Sequence, residues 1–151
     1  MNVAATPVVE VVISREIAAP RARVFAAWTD ASQALLWMAP KGVTLLECKM
    51  DVREGGGWLR RMRRTDGSVI TKYGAFREIV SPERLVFTYN TTYADGSIEP
   101  ETLVTVTLDD LGGRTRLTLR HANFATGQSA ISHRGGWTTC LERFVEFTTA
   151  Q

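Results

Sequence analysis

The densest run of chemically capable side chains is Arg60-Arg61-Met62-Arg63-Arg64, with Trp58 just before it. Successive side chains of an extended strand point to opposite faces. Trp58, Arg60, Met62 and Arg64 therefore share one face, and Arg61 and Arg63 take the other. The second face reads as ordinary solvated surface. If the first faces inward, Arg60 is a buried cation that needs a partner. An internal Asp or Glu is the expected one. The alternative is the carboxylate of a bound molecule, which a guanidinium grips bidentately.

The chain has two histidines, His121 and His133. Imidazole titrates near neutral pH, so either could move protons in a pocket. His121 is in phase with Leu117 and Leu119 and would reach a cavity mouth if they point inward. His133 lies four residues before Trp137 and shares its face if the segment is helical. For both, a hydrogen-bonded structural histidine is the expected role. Cys48 and Cys140 form no C-x-x-C pair, which argues against structural zinc. No metal or cofactor is expected. The cysteines read as free buried thiols of a reduced, cytoplasmic protein.

Carboxylates fall mainly at turns, and none pair as glycoside hydrolysis needs. Asp51 and Arg53 read as a structural ion pair. No nucleophile elbow, zincin helix, phosphate loop or dinucleotide fingerprint occurs. Gly55-Gly56-Gly57 lacks the helix that should follow a phosphate-cradling loop, so it reads as a turn.

The elements that must position these groups follow from periodicity. Val9, Val11, Ile13 and Ile17 lie on one face of a strand over Val8–Ile17. Met1 to Val12 reads as a loose start running into that strand, not as a signal peptide. Pro20 suits a helix start. Val24, Phe25 and Trp28 mark a short amphipathic helix, and Asp30 caps a second one carrying Leu35 and Leu36. Strands follow over 43–52, 58–64, 69–80, 85–93, 101–108 and 115–121. Turn signals such as Asp66-Gly67, Asp95-Gly96 and Gly112-Gly113 separate them. The phase of the strand between Tyr73 and Phe76 stays open, because a bulge would invert it. Trp137, Leu141, Phe144, Val145 and Thr148 form the stripe of a long helix over 128–149. Gly135-Gly136 inside it suggests a kink or a close approach to the sheet.

The 151 residues suit one unit over 1–151, with 44% hydrophobic and 23% charged residues as in globular chains. A net charge of +2 gives no argument for nucleic acid. No apolar run reaches the ~18 residues that span a bilayer. A homodimer is compatible with the chain, but nothing marks an interface.

Read in order, these segments resemble a known family. Ile17-Ala18-Ala19-Pro20, Val24 to Asp30, Trp37 to Gly42, Asp51 to Gly56, Gly74 to Tyr89, Thr105 to Leu119 and Gly136-Trp137 with Leu141 and Phe144 carry the resemblance. It is to the START-like (SRPBCC, Bet v 1-like) superfamily. Within it, the match is to the domain named after the C-terminal part of the heat-shock protein 90 ATPase activator. The resemblance implies an α+β helix-grip fold: a curved antiparallel sheet of six to seven strands around a long C-terminal helix, with two short helices after the first strand. It also implies a cavity between sheet and helix for a hydrophobic small molecule. Expected lining residues are Trp58, Arg60, Met62, Phe87, Tyr89, Leu119, His121, His133, Cys140, and above all Trp137 and Phe144. Cys48 and Met50 add soft lining. The alternatives are a polyketide-cyclase-like enzyme with a pocket histidine and a chaperone-related interaction module.

Overall fold

A computed structural model describes residues 9–150. The expected loose start over 1–8 lies outside the described residues. The elements run β1 (Val11–Ile17), α1 (Arg21–Thr29), α2 (Ala31–Ala34), β2 (Thr44–Met50), β3 (Gly57–Arg63), β4 (Val69–Val80), β5 (Arg84–Thr92), β6 (Ile98–Asp110), β7 (Thr115–Ala122) and α3 (Gly127–Thr149). The strands form one curled antiparallel sheet in the order β1-β7-β6-β5-β4-β3-β2. This is the helix-grip architecture. β1 and β2, neighbours in sequence, occupy opposite edges, and α1 and α2 carry the chain across between them.

Local chemistry explains most boundaries. Pro20 is the cap residue of α1 rather than its first helical position. Asp30 caps α2 by accepting the backbone N–H of Ser32 at 3.0 Å. Leu35 and Leu36, expected on that helix, follow it and are exposed, while Trp37 is fully buried. β6 is longer at both ends than its apolar core suggests, because Ile98 pairs with Thr92 and Asp110 with Thr115. Thr126 caps α3 through Ser129 N–H at 3.1 Å. The helix runs as one element through Gly135-Gly136. Its inward face is Ala130, His133, Trp137, Cys140, Leu141, Phe144 and Thr148.

Sheet and helix close on an aromatic core. Trp28 contacts the rings of Trp37, Phe144 and Trp137 with centroids at 4.7, 5.4 and 6.0 Å. Such offset or edge contacts suit the quadrupoles of aromatic rings. The indole N–H of Trp37 donates to Ala27 O at 2.9 Å. α1 and α2 thus plug one end of the groove between sheet and helix.

β4 carries the register device that orders the concave face. Ile70, Lys72, Gly74 and Phe76 alternate inward, and a bulge between Phe76 and Glu78 then lets Ile79 pack on the core. Gly74 lies opposite Trp58, whose indole N–H passes over it to donate to Thr88 O at 3.0 Å. A Cβ on Gly74 would sit 1.9 Å from Thr88 O and 2.8 Å from Trp58 Nε1. Gly135, by contrast, has nothing within 4 Å of where its Cβ would be.

Gly74→Ala should therefore lower stability by about 2–4 kcal/mol, combining overpacking with loss of a buried hydrogen bond. Gly135→Ala should raise it by about 0.5–1 kcal/mol, as expected in a helix interior. Urea unfolding checks both: opposite shifts in midpoint at unchanged slope are expected.

Candidate functional site: a buried two-cation cavity

The register of β3 against β4 dictates the site. Arg60 pairs directly with Lys72, between the pairs Trp58–Gly74 and Met62–Ile70. Both cations point to the concave face, and both are buried, at 4% and 7% exposure. Directly opposed like charges disfavour a sheet pair, so each cation must be held by something else.

Arg60 is held by aromatic rings. Its guanidinium donates to Tyr89 Oη at 2.7 Å. It lies 5.8 Å from the Trp58 ring, 5.7 Å from Tyr89 and 5.8 Å from Trp137, within cation–π range. Its Nε–H has no hydrogen-bond partner. The expected internal carboxylate partner is absent: among the described residues Arg60 makes no ion pair. The carboxylates reached by arginines in ion pairs lie at exposed or half-exposed positions, such as Glu47 with Arg61 on the outer face and Asp51 with Arg53 at the β2–β3 turn.

Lys72 is held by neutral groups. Its ammonium reaches Thr91 Oγ1 at 2.8 Å and His133 Nε2 at 3.1 Å. The His133 Nδ1–H donates to Ser129 O at 2.8 Å, leaving Nε2 as an acceptor for Lys72. Burial, with Arg60 nearby, pushes the Lys72 amine down to about 7. Burial and Lys72 likewise lower His133. Glu99 stands behind them, bonded to the Tyr93 hydroxyl and to Ser129 Oγ. It tempers their field without pairing with either cation: burial works to raise its carboxyl, and the Tyr93 and Ser129 bonds outweigh that and hold it low.

His121 has a different role. Thr102 Oγ1–H donates to Tyr89 O at 2.9 Å, so it accepts the Nε2–H of His121 at 2.7 Å. His121 Nδ1 then accepts the indole N–H of Trp137 at 3.0 Å. Both ring nitrogens are spent, the ring is fully buried, and burial pushes its titration down to about 2. His121 is therefore a neutral clamp between β7 and α3.

A cavity of about 160 Å³ lies beside the cations, between β3, β4 and α3. Of the residues expected to line it, Arg60, Met62, Tyr89, His133, Trp137 and Cys140 do so. Trp58 and Phe87 border a separate gap of about 20 Å³, with Cys48 and Met50 on its wall. That is room for about one water. Leu119, His121 and Phe144 line neither space. Phe144 packs on Trp37 at 4.3 Å instead. The two histidine rings do meet, at 5.3 Å, but only His133 borders the cavity.

The sequence reading missed Lys72, Val43, Ile70, Tyr93 and Gly136, which line the cavity together with Pro40, Arg64 and Ser132. The period-two run Ile70-Lys72-Gly74-Phe76 was the available signal for Lys72. Among the described residues no cluster could hold a metal ion. Both cysteines are free, and burial raises the Cys140 thiol to about 11, so it stays protonated. No described helix is long and apolar enough to cross a membrane.

The sequence profile described as Activator of Hsp90 ATPase homolog 1-like protein matches residues 18–148. The chain belongs to that family. Solved structures agree on its fold. A protein from Arthrobacter aurescens superposes with a TM-score of 0.80 at 23% identity, over 95% of this chain and 87% of its own. The AHSA1 protein from Silicibacter pomeroyi gives 0.79 at 23%, over 91% and 95%. The Mll3558 protein from Rhizobium loti gives 0.73 at 26%, over 94% and 99%. No functionally curated protein matches the sequence. Fold and family are thus fixed, and this chain's own cavity must carry the functional argument.

Lys72 links the site to pH. Its amine titrates near 10.5 when unfolded and at about 7 in the fold. Between those values the unfolded state binds the extra proton, so stability rises with pH, and at about 7 and below the burial penalty is fully present. Lys72→Met should therefore be more stable than the parent by on the order of 3–5 kcal/mol below pH 7. The gap should close toward pH 10.5. Urea midpoints across that range check it; a gap that does not change with pH would refute the assignment.

Proposed function

We propose that the protein binds a small amphipathic molecule whose apolar body lies along Met62, Ile70 and Trp137 and whose anionic end meets Arg60 and Lys72. One observation carries this reading: Arg60 is buried, borders the cavity, and has neither a carboxylate partner nor a partner for Nε–H. A buried charge normally needs a paired and hydrogen-bonded counterpart. A ligand carboxylate supplies the missing acceptors, and the nearby Lys72 adds a second charge-assisted contact.

Size sets the ligand class. A dry cavity near 150 Å³ holds a benzene-sized molecule. The part of the ligand held between β3, β4 and α3 is therefore a short acid or acid end of roughly six to eight heavy atoms. Soft walls at Met62 and Cys140 accept loose shapes.

A pocket-histidine enzyme finds support in His133 alone, since His121 has no free ring nitrogen. The chaperone-linked reading asks for a contiguous apolar patch. The most exposed large apolar side chains are Ile98 on β6, Ile131 on α3 and Leu36 after α2.

Calorimetric titration with pentanoate and with 1-pentanol tests the proposal. Pentanoate should bind at least about tenfold tighter, equivalent to one charge-assisted contact of ~1.4 kcal/mol or more. Arg60→Met should erase the preference. Equal affinity for acid and alcohol would overturn it.

A further inference from the structure

We infer that Lys72 is a covalent site, its amine condensing with the carbonyl of a short keto acid to form an imine while the acid's carboxylate lies against Arg60. The inference rests on the anion-binding reading above and gives the ligand a second functional group. Three observations support it.

First, Lys72 is built in against a cost. A buried amine with no carboxylate partner destabilises the fold, and a lysine so placed is the kind that acts as a nucleophile, especially beside another cation. The groups facing it are Arg60 from β3, Arg64 just after it, Tyr89 and Thr91 from β5, Glu99 from β6 and His133 from α3. Burial above all, with the neighbouring Arg60, holds the amine down to about 7, so a substantial fraction of Lys72 is free amine near neutral pH.

Second, the spacing suits one bifunctional molecule. Arg60 and Lys72 are directly opposed across two strands, and both border the cavity. Opposed residues have Cβ atoms about 4.5–5.5 Å apart. A carboxylate at one and a carbonyl a few bonds away at the other fit a chain the cavity can hold.

Third, a proton carrier is in place. His133 Nε2 lies 3.1 Å from Lys72 Nζ, with its tautomer fixed by Ser129 O. The free amine adds to the carbonyl carbon, forming a C–N bond. Both amine hydrogens then leave with the carbonyl oxygen as water, and C=N replaces C=O. His133 takes a proton from nitrogen and returns one to the departing oxygen. No oxidant, reductant or further reactant is consumed. Cys140, the other nucleophile on the wall, is held as the protonated thiol and does not compete.

The sequence makes the test clean, because Lys41 and Lys49 are its only other lysines and both are exposed. The whole protein is incubated with 4-oxopentanoate, reduced with borohydride, and analysed by intact mass and peptide mapping. One reduced adduct is expected, on Lys72, at least tenfold over Lys41 or Lys49. Excess pentanoate should block it. Lys72→Arg removes the nucleophilic amine and should lose the adduct. If pentanoate binds the parent protein but reduction leaves no preferred adduct at Lys72, the imine is overturned and the anion-binding reading stands. If pentanoate does not bind and no adduct forms, both fall.

Discussion

The bond from the Trp137 indole to His121 Nδ1 fixes where α3 lies on the sheet. A buried indole N–H left without an acceptor costs about 1–3 kcal/mol. His121 can accept only as the neutral tautomer with hydrogen on Nε2. Thr102 enforces that tautomer, because its own hydroxyl hydrogen is committed to Tyr89 O. β5, β6, β7 and α3 are thus joined by a chain in which every hydrogen has one place. The helix cannot rotate or slide without breaking it. With Trp137 fixed, His133 and Cys140 fall one turn to either side on the same face, and Gly136 borders the cavity without filling it.

That placement explains how two buried cations are tolerated. The sheet register sets Arg60 opposite Lys72, and the helix brings the Trp137 ring and the His133 nitrogen onto them. Arg60 is stabilised by ring faces and one phenol, and Lys72 by one hydroxyl and one imidazole. Neither arrangement neutralises charge. A positive field therefore persists in a partly apolar slot, where low polarisability strengthens it. Glu99 could have cancelled it, but its oxygens are bound to Tyr93 and Ser129. Glu99 makes no ion pair with either cation.

Much of this was legible in the sequence, and the boundary has physical causes. Element order, the turns and the inward face of α3 follow from local periodicity and glycine placement. So does the shared face of Arg60 with Trp58 and Met62, though which way that face turns is set only by the curl of the sheet. Its partner was not legible, because what opposes Arg60 is set by register across strands. Lys72 escaped notice because Gly74 interrupts the alternating pattern with a residue that has no side chain, and the bulge after Phe76 reverses the phase that follows. The role of His121 needs Thr102 and Trp137 from two other elements, and no single segment contains it. Phe144 has the spacing of a cavity wall, yet the helices after β1 bring Trp28 and Trp37 onto it.

The last contrast divides the molecule into two ends. At one end Trp28, Trp37, Phe87, Trp137 and Phe144 form a continuous aromatic cluster that leaves only a gap of about 20 Å³. At the other, Pro40, Val43 and Tyr93 surround the larger cavity and its charges. Domains retain only about 5–15 kcal/mol of net stability. A buried lysine and an incompletely bonded arginine consume a large part of such a margin. The fold can hold them because the closed end packs tightly enough to offset the cost, and because Trp137 belongs to both ends. One face of its ring system packs with Trp28, and it also carries Arg60 within cation–π range. Loosening the aromatic cluster would thus disturb the cations as well, since the same indole anchors the helix, completes the core and shapes the charged wall.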